Sequence, residues 1–217
     1  MESVIRQLDW ECGALIASQA DARLRVGSTR PAISEEDWED IGAGLNGDGD
    51  AYARLVRRHQ SRVASRMWRF TRDAIDHEDL VQEVFVQAYL GLHNYRGDAP
   101  FEHWLARIAT RVGYRFWKSN ARNRSIQSVP IEDLANVLSS DPQATDPQDA
   151  GRTLYELMEM LPPRDRLVLA LRYVEDRSVE ETARLTGWTQ TMVKVQAWRA
   201  RKKLRKLLKE AGMELDR

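Results

Sequence analysis

The sequence predicts an all-α chain of two small helical domains joined by a flexible acidic linker. Apolar residues recur at helical spacing, as at Leu80, Val84, Phe85, Ala88 and Leu92, and again at Leu167, Ala170, Leu171 and Val174. No segment shows the sustained alternation of a half-buried strand. Residues 125–150 hold Pro130, Pro142 and Pro147 among Ser, Asp, Gln and Thr, and only the IEDLANVL piece has the pattern of a short helix. The expected organisation is therefore an extension at 1–33, a first domain at 34–124, the linker at 125–150, a second domain at 151–212 and a tail at 213–217.

The chain's 217 residues and 42% apolar content suit one medium domain or two small ones. No run approaches the ~18–20 apolar residues of a membrane span. Glu2, Asp9 and Glu11 stand where a secretory signal needs positive charge and an apolar stretch, which points to the cytoplasm. Cys12 is the only cysteine, so neither an internal disulfide nor a cysteine zinc cluster is available. In the extension, Ile5, Leu8, Cys12, Leu15 and Ile16 make an apolar helical stripe that suits packing on the domains or binding a regulator.

A formal net charge of zero conceals blocks of opposite sign. Residues 34–50 carry Glu35, Glu36, Asp37, Glu39, Asp40, Asp48 and Asp50 and no cation. Residues 105–124 carry Arg107, Arg111, Arg115, Lys118, Arg122 and Arg124 with Tyr114, Phe116 and Trp117 among them. The linker is acidic again, with Glu132, Asp133, Asp141, Asp146 and Asp149, and residues 194–209 are basic throughout. This segregation predicts two nucleic-acid surfaces separated by an acidic connector.

Two motif look-alikes fail on context. Gly42-Ala43-Gly44-Leu45-Asn46-Gly47 fits GxGxxG, but no strand precedes it and Asp48 and Asp50 would repel a pyrophosphate. Asn46, Asp48 and Asp50 imitate a calcium loop, yet Ala51 replaces its glycine and Arg57 its closing glutamate. His59, His77, His93 and His103 have no metal-ligand spacing, and no GxSxG motif marks a nucleophile. Asp79 and Glu83 share a helix face without a recognisable catalytic pocket. The expectation is a non-enzyme with no cofactor and no metal.

The segment EETARLTGWTQTMVKVQAWRARKKL, residues 180–204, has the pattern of a helix-turn-helix. Ser178 and Glu181 form a capping box, Ala183 is small where helices must approach, and Gly187 supplies a left-handed turn. Thr189 caps the second helix and Val193 packs it back on the first. Gln190, Thr191, Lys194, Val195, Trp198 and Arg199 then face a major groove, with Arg201, Lys202 and Lys203 near phosphates.

MEMLPPRDRLVLALRYVEDRSVEETARLTG followed by TMVKVQAWRARKKLRKLL resembles region four of a bacterial RNA polymerase sigma factor of the extracytoplasmic-function (ECF) group. DAIDHEDLVQEVFVQAYLGL resembles the polymerase-binding helix of region two, and YRGDAPFEHWLARIATRVGYRFWKSNARNR its promoter-melting and minus-ten segment. The short linker fits that group, which lacks the large domain other sigma factors carry there.

The resemblance implies a fold of a region-two helical bundle and a region-four helix-turn-helix. It also implies core RNA polymerase and promoter DNA as partners, with an anti-sigma factor as a further one. Asp79, Leu80, Gln82, Glu83 and Val86 would meet the clamp coiled coil of the largest subunit, and region four the flap. The minus-ten element would meet Asn94, Tyr95, Arg96, Gly97, Asp98, Phe101, Arg107, Arg111, Arg115, Trp117 and Lys118. Ser178 joins Gln190, Thr191, Lys194, Val195, Trp198, Arg199, Arg201 and Lys202 at the minus-thirty-five element. Trp104, at helical spacing from Phe101 and Ile108, reads as core, and Trp117 as the better base-stacking candidate.

Arg111, Tyr95, Thr191 and Val195-Gln196 depart from the residues common in this group, so the bases read are not carried over. The linker would thread the polymerase near the RNA path. The competing readings are a free-standing helix-turn-helix regulator and a polymerase-binding scaffold without promoter activity.

Overall fold

The computed structural model describes residues 34–126 and 156–210, and the linker, the extension's apolar stripe and the tail lie outside them. Among the described residues every regular element is helical: α1 (Glu35–Leu45), α2 (Gly49–Met67), α3 (Ala74–Gly91), a 3₁₀ turn (Leu92–Asn94), α4 (Phe101–Ile126), α5 (Pro163–Leu169), a π turn (Ala170–Val174), α6 (Val179–Thr186) and α7 (Gln190–Glu210). The described residues are all-α, as the periodicity predicts.

The acidic block at residues 34–50 proves to be partly internal cement. Asp37 and Asp40 are buried on α1 and face α2. Arg58 reaches both carboxylates, Arg54 Nη2 lies 2.7 Å from Asp40 Oδ1, and His59 Nε2 lies 3.1 Å from both Asp37 oxygens. Burial pushes the Asp40 carboxyl up, but hydrogen bonds and charge from Arg54 and Arg58 outweigh it and hold the group below its ordinary value. Asp48 caps α2, its Oδ1 accepting from the Asp50 and Ala51 amides at 2.9 and 3.1 Å. The glycine-rich stretch before it is thus the turn between two helices.

Asp73 starts α3 in the same way, accepting from the amides of Ile75 at 2.8 Å and Asp76 at 2.9 Å. Leu80, Val84, Phe85 and Ala88 of α3 are buried, whereas Val81 is only half-buried. The long helix α4 crosses this bundle close to Phe70, whose ring occupies the space a Cβ at Gly113 would need.

The second bundle is short. Asp165, almost fully buried on α5, accepts hydrogen bonds from Gln196 and, at 2.6 Å, from Lys203 Nζ, which ties α5 to α7. After α5 the chain widens into the π turn, closed by the Glu175 amide on the Ala170 carbonyl at 3.0 Å. That extra residue delivers Glu175 to Arg69 of the first bundle, with which it forms an ion pair.

The two bundles meet where α4 packs against α5 and α6. Trp117 lies at this seam, 3% exposed, its indole N–H donating to the Phe70 carbonyl at 2.7 Å. The Arg166 guanidinium covers the ring at 4.1 Å from its centroid. The apolar core is continuous across the seam, from Val84, Leu105 and Val112 to Met158, Val168 and Val193.

Candidate nucleic-acid and polymerase interfaces

The helix-turn-helix forms as its local chemistry dictates. Ser178 Oγ accepts from the Glu181 amide at 3.0 Å, and Glu181 accepts from the Ser178 amide at 2.8 Å. These bonds, with Arg177 nearby, hold the Glu181 carboxyl below its ordinary range. Gly187 takes φ +74° at the end of α6, and Thr189 Oγ1 accepts from the Met192 amide at 3.2 Å to begin α7. Val193, Ala197 and Ala200 form the buried side of α7.

With ~100° between successive residues, the opposite side of α7 presents Thr191, Val195, Trp198 and Lys202. These, with Gln190, Lys194, Arg199 and Arg201, are exposed, as is Ser178. Lys203, placed with the phosphate contacts by sequence, turns instead to Asp165, because only its carboxylate partner's burial, invisible in the local sequence, decides its direction.

In the first bundle, Arg107, Arg111, Arg115 and Lys118 follow one another at spacings of four, four and three on the exposed side of α4. All four point outward, and Arg115 also pairs with Glu83 at 3.1 Å. Trp104 stands at the head of this stripe, half-buried and packed on Phe101 at 5.4 Å and Tyr95 at 5.5 Å, in keeping with its core assignment. Asn94, Arg96 and Asp98 are exposed in the loop before α4, and Gly97 makes the bend at φ +74°.

Three residues of the sequence-derived minus-ten set do not offer their rings in this structure. Tyr95 is buried, donates to the Ala99 carbonyl at 2.6 Å, and burial pushes its hydroxyl up to about 12. Phe101 is 1% exposed beneath Trp104. Trp117, chosen as the stacking candidate because cations surround it in sequence, is buried under Arg166, a residue of the other bundle. Tyr95 and Phe101 shape the loop from behind.

The α3 side carries a third surface of different chemistry. Asp76, Asp79, Leu80, Gln82, Glu83 and Val86 with Phe116 of α4 line a groove of about 430 Å³. Leu80 is buried and forms its floor, a correction to its place as a surface contact. Val86 is 44% exposed, and Tyr89 and Leu90 on the same helix are 52% and 61% exposed. Sequence reasoning missed the last two, although their spacing from Val86 marks them as continuing an outward apolar strip. No helix among the described residues is long and apolar enough to cross a membrane.

The chain is similar to known proteins over most of its length. A model of Sigma-70 region 2 matches residues 55–123, and one of Sigma-70, region 4 matches residues 151–204. The chain is 30% identical over 190 residues to the RNA polymerase sigma-H factor of Pseudomonas aeruginosa, with 82% of this chain and 98% of that protein covered. It is 29% identical over 163 residues to the ECF RNA polymerase sigma-E factor of Escherichia coli K12, covering 71% and 85%. Among solved structures, CnrH in complex with the cytosolic domain of CnrY shares the fold at a TM-score of 0.50 and 24% identity, over 81% of this chain and 99% of that one. The chain therefore belongs to the sigma-70 family of RNA polymerase sigma factors, in its extracytoplasmic-function group.

Proposed function

We propose that this chain joins core RNA polymerase through the α3 groove, reads minus-thirty-five duplex with α7, and holds opened minus-ten DNA along the loop at 94–100 and the basic stripe of α4. The observation that carries this reading is the coexistence, in one chain, of an acidic and apolar groove with two separate basic faces. A free-standing regulator would need α7 alone. Asp79, Gln82, Glu83 and Val86 suit a basic, partly apolar partner helix such as the clamp coiled coil, and region four would meet the flap. An anti-sigma factor is a further expected partner by family membership.

The chain works without catalysing a covalent step, in the cytoplasm where polymerase and chromosome meet. Opening duplex forfeits stacking of ~1.4 kcal/mol per base step, so melting is driven by tighter binding of the open state. Arg107, Arg111, Arg115 and Lys118 supply a track for the displaced backbone, and Asn94, Arg96 and Asp98 polar contacts at its start.

The test is retention by core polymerase followed by abortive transcription from a genomic promoter library. The expected result is initiation only when core and this chain are both present. DNA binding by the chain alone, with no initiation on any library member, would establish the regulator instead. Core retention without initiation would establish a scaffold.

A further inference from the structure

The outward side of α7 has an apolar centre. Val195 is 44% exposed and Trp198 57% exposed, large hydrophobic groups left in water on a helix whose opposite side supplies ample burial. Gln196, the one carboxamide in the middle of the helix, is withdrawn from that side by its hydrogen bond to Asp165. The apolar pair is flanked by Lys194, Arg199 and Lys202, and the Lys202 ammonium lies 5.7 Å from the centre of the Trp198 ring.

The cations select the occupant. An apolar strip bordered by three positive groups suits a polyanion that carries apolar groups between its charges, and the major groove of DNA does so through the C5-methyl of thymine. Along the helix axis, Val195 and Trp198 are ~4.5 Å apart. Base pairs are stacked ~3.4 Å apart, so two side chains this close on one face are within reach of the same or adjacent positions.

Resting on the reading of α7 as the minus-thirty-five helix, we propose that Val195 and Trp198 are specificity determinants that read thymine methyl groups, so that A·T pairs in this element are recognised by apolar contact. Gln190, Lys194 and Arg199 supply the hydrogen bonds and phosphate contacts around them. Burial of one methyl group is worth about a fourfold change in affinity.

The experiment uses holoenzyme assembled from core polymerase and the full chain, on the strongest promoter of the library. Each thymine of the minus-thirty-five duplex is replaced singly by deoxyuridine, which removes the methyl and keeps every hydrogen-bonding group. The expected result is a rise of about fourfold in Kd at one or two adjacent positions. Val195→Ala should weaken the thymine promoter by a similar factor and abolish the uridine effect at one of those positions. Trp198→Ala should do so at the neighbouring one.

Equal affinity for thymine and uridine at every position overturns the proposal, as does full uridine sensitivity in both variants. Loss of affinity in the variants without any uridine effect would show that this strip serves another contact. If the holoenzyme binds no library promoter, the assignment of α7 falls as well, whereas indifference to uridine on a tightly bound promoter removes only the methyl readout.

Discussion

At Gly113 a neighbour dictates that there be no side chain. The Phe70 ring lies where a Cβ would be, and both residues are packed between α4 and the end of α2. Gly113→Ala is expected to destabilise the first domain by about 1–3 kcal/mol, because the aromatic ring must shift within a filled core. An unchanged urea midpoint would show that the ring moves freely.

The carboxylates make a second prediction. Asp40, pushed up by burial but held down more strongly by Arg54 and Arg58, and Glu181, held down by the Ser178 bonds, both titrate below their ordinary values of 3.8 and 4.5. A lowered folded value means that their contributions are present above those ordinary values and are lost as pH falls through the lower ones. Glu181→Gln keeps the capping geometry but cannot titrate, so its stability should fall less than that of the unaltered chain as pH drops below 4.5. Parallel acid profiles would refute this role of Glu181.

At the scale of elements, the division of labour between α3 and α7 is testable by charge. Lys194→Glu with Arg199→Glu is expected to weaken binding to minus-thirty-five duplex and to lower the steepness of its salt dependence, by about one unit in log–log slope for each phosphate contact removed. Core binding should persist, because the α3 groove is untouched. Equal loss of core binding, with the fold preserved by circular dichroism, would contradict the assignment.

Elements whose signals are local were legible in the sequence. The Ser178–Glu181 capping box, the Gly187 turn, the Thr189 cap and the buried Val193 all fall within sixteen residues. Arg107, Arg111, Arg115 and Lys118 of α4 were visible in the sequence as part of a basic block, and the structure leaves all four exposed. Directions set by distant partners were not legible. Trp117 is covered by Arg166 across the domain seam, and Lys203 and Gln196 are drawn in by Asp165, more than thirty residues away. Leu80 fell between, since its periodicity marked it as core while its place among Asp79, Gln82 and Glu83 marked it as surface, and it is the floor of the groove.

The whole molecule is held closed by groups that the proposed function must part. Minus-thirty-five and minus-ten elements are separated by ~25 base pairs, or about 85 Å of duplex at ~3.4 Å per step. The 26-residue α4 is only ~39 Å long and touches the second bundle directly. If both elements are engaged at once as proposed, the seam is expected to open, exposing Trp117 and separating Arg69 from Glu175.

Arg69 is largely buried, which lowers its guanidinium pKa, and Glu175 opposes that shift. Glu175→Ala leaves that charge without its main partner, a penalty of about 3 kcal/mol that undocking relieves by returning Arg69 to water. Energy transfer between dyes at the exposed positions 60 and 206 should fall in the variant relative to the unaltered chain. An unchanged efficiency would mean that the seam does not depend on this pair.

The central claim is that the chain makes strand separation favourable by holding unpaired promoter bases while bound to polymerase. Permanganate oxidation of thymines measures this directly on a library promoter. The account predicts reactive thymines around the minus-ten element with core and this chain together, and none with either alone. Unreactive thymines on every promoter that the assembled holoenzyme binds would contradict it.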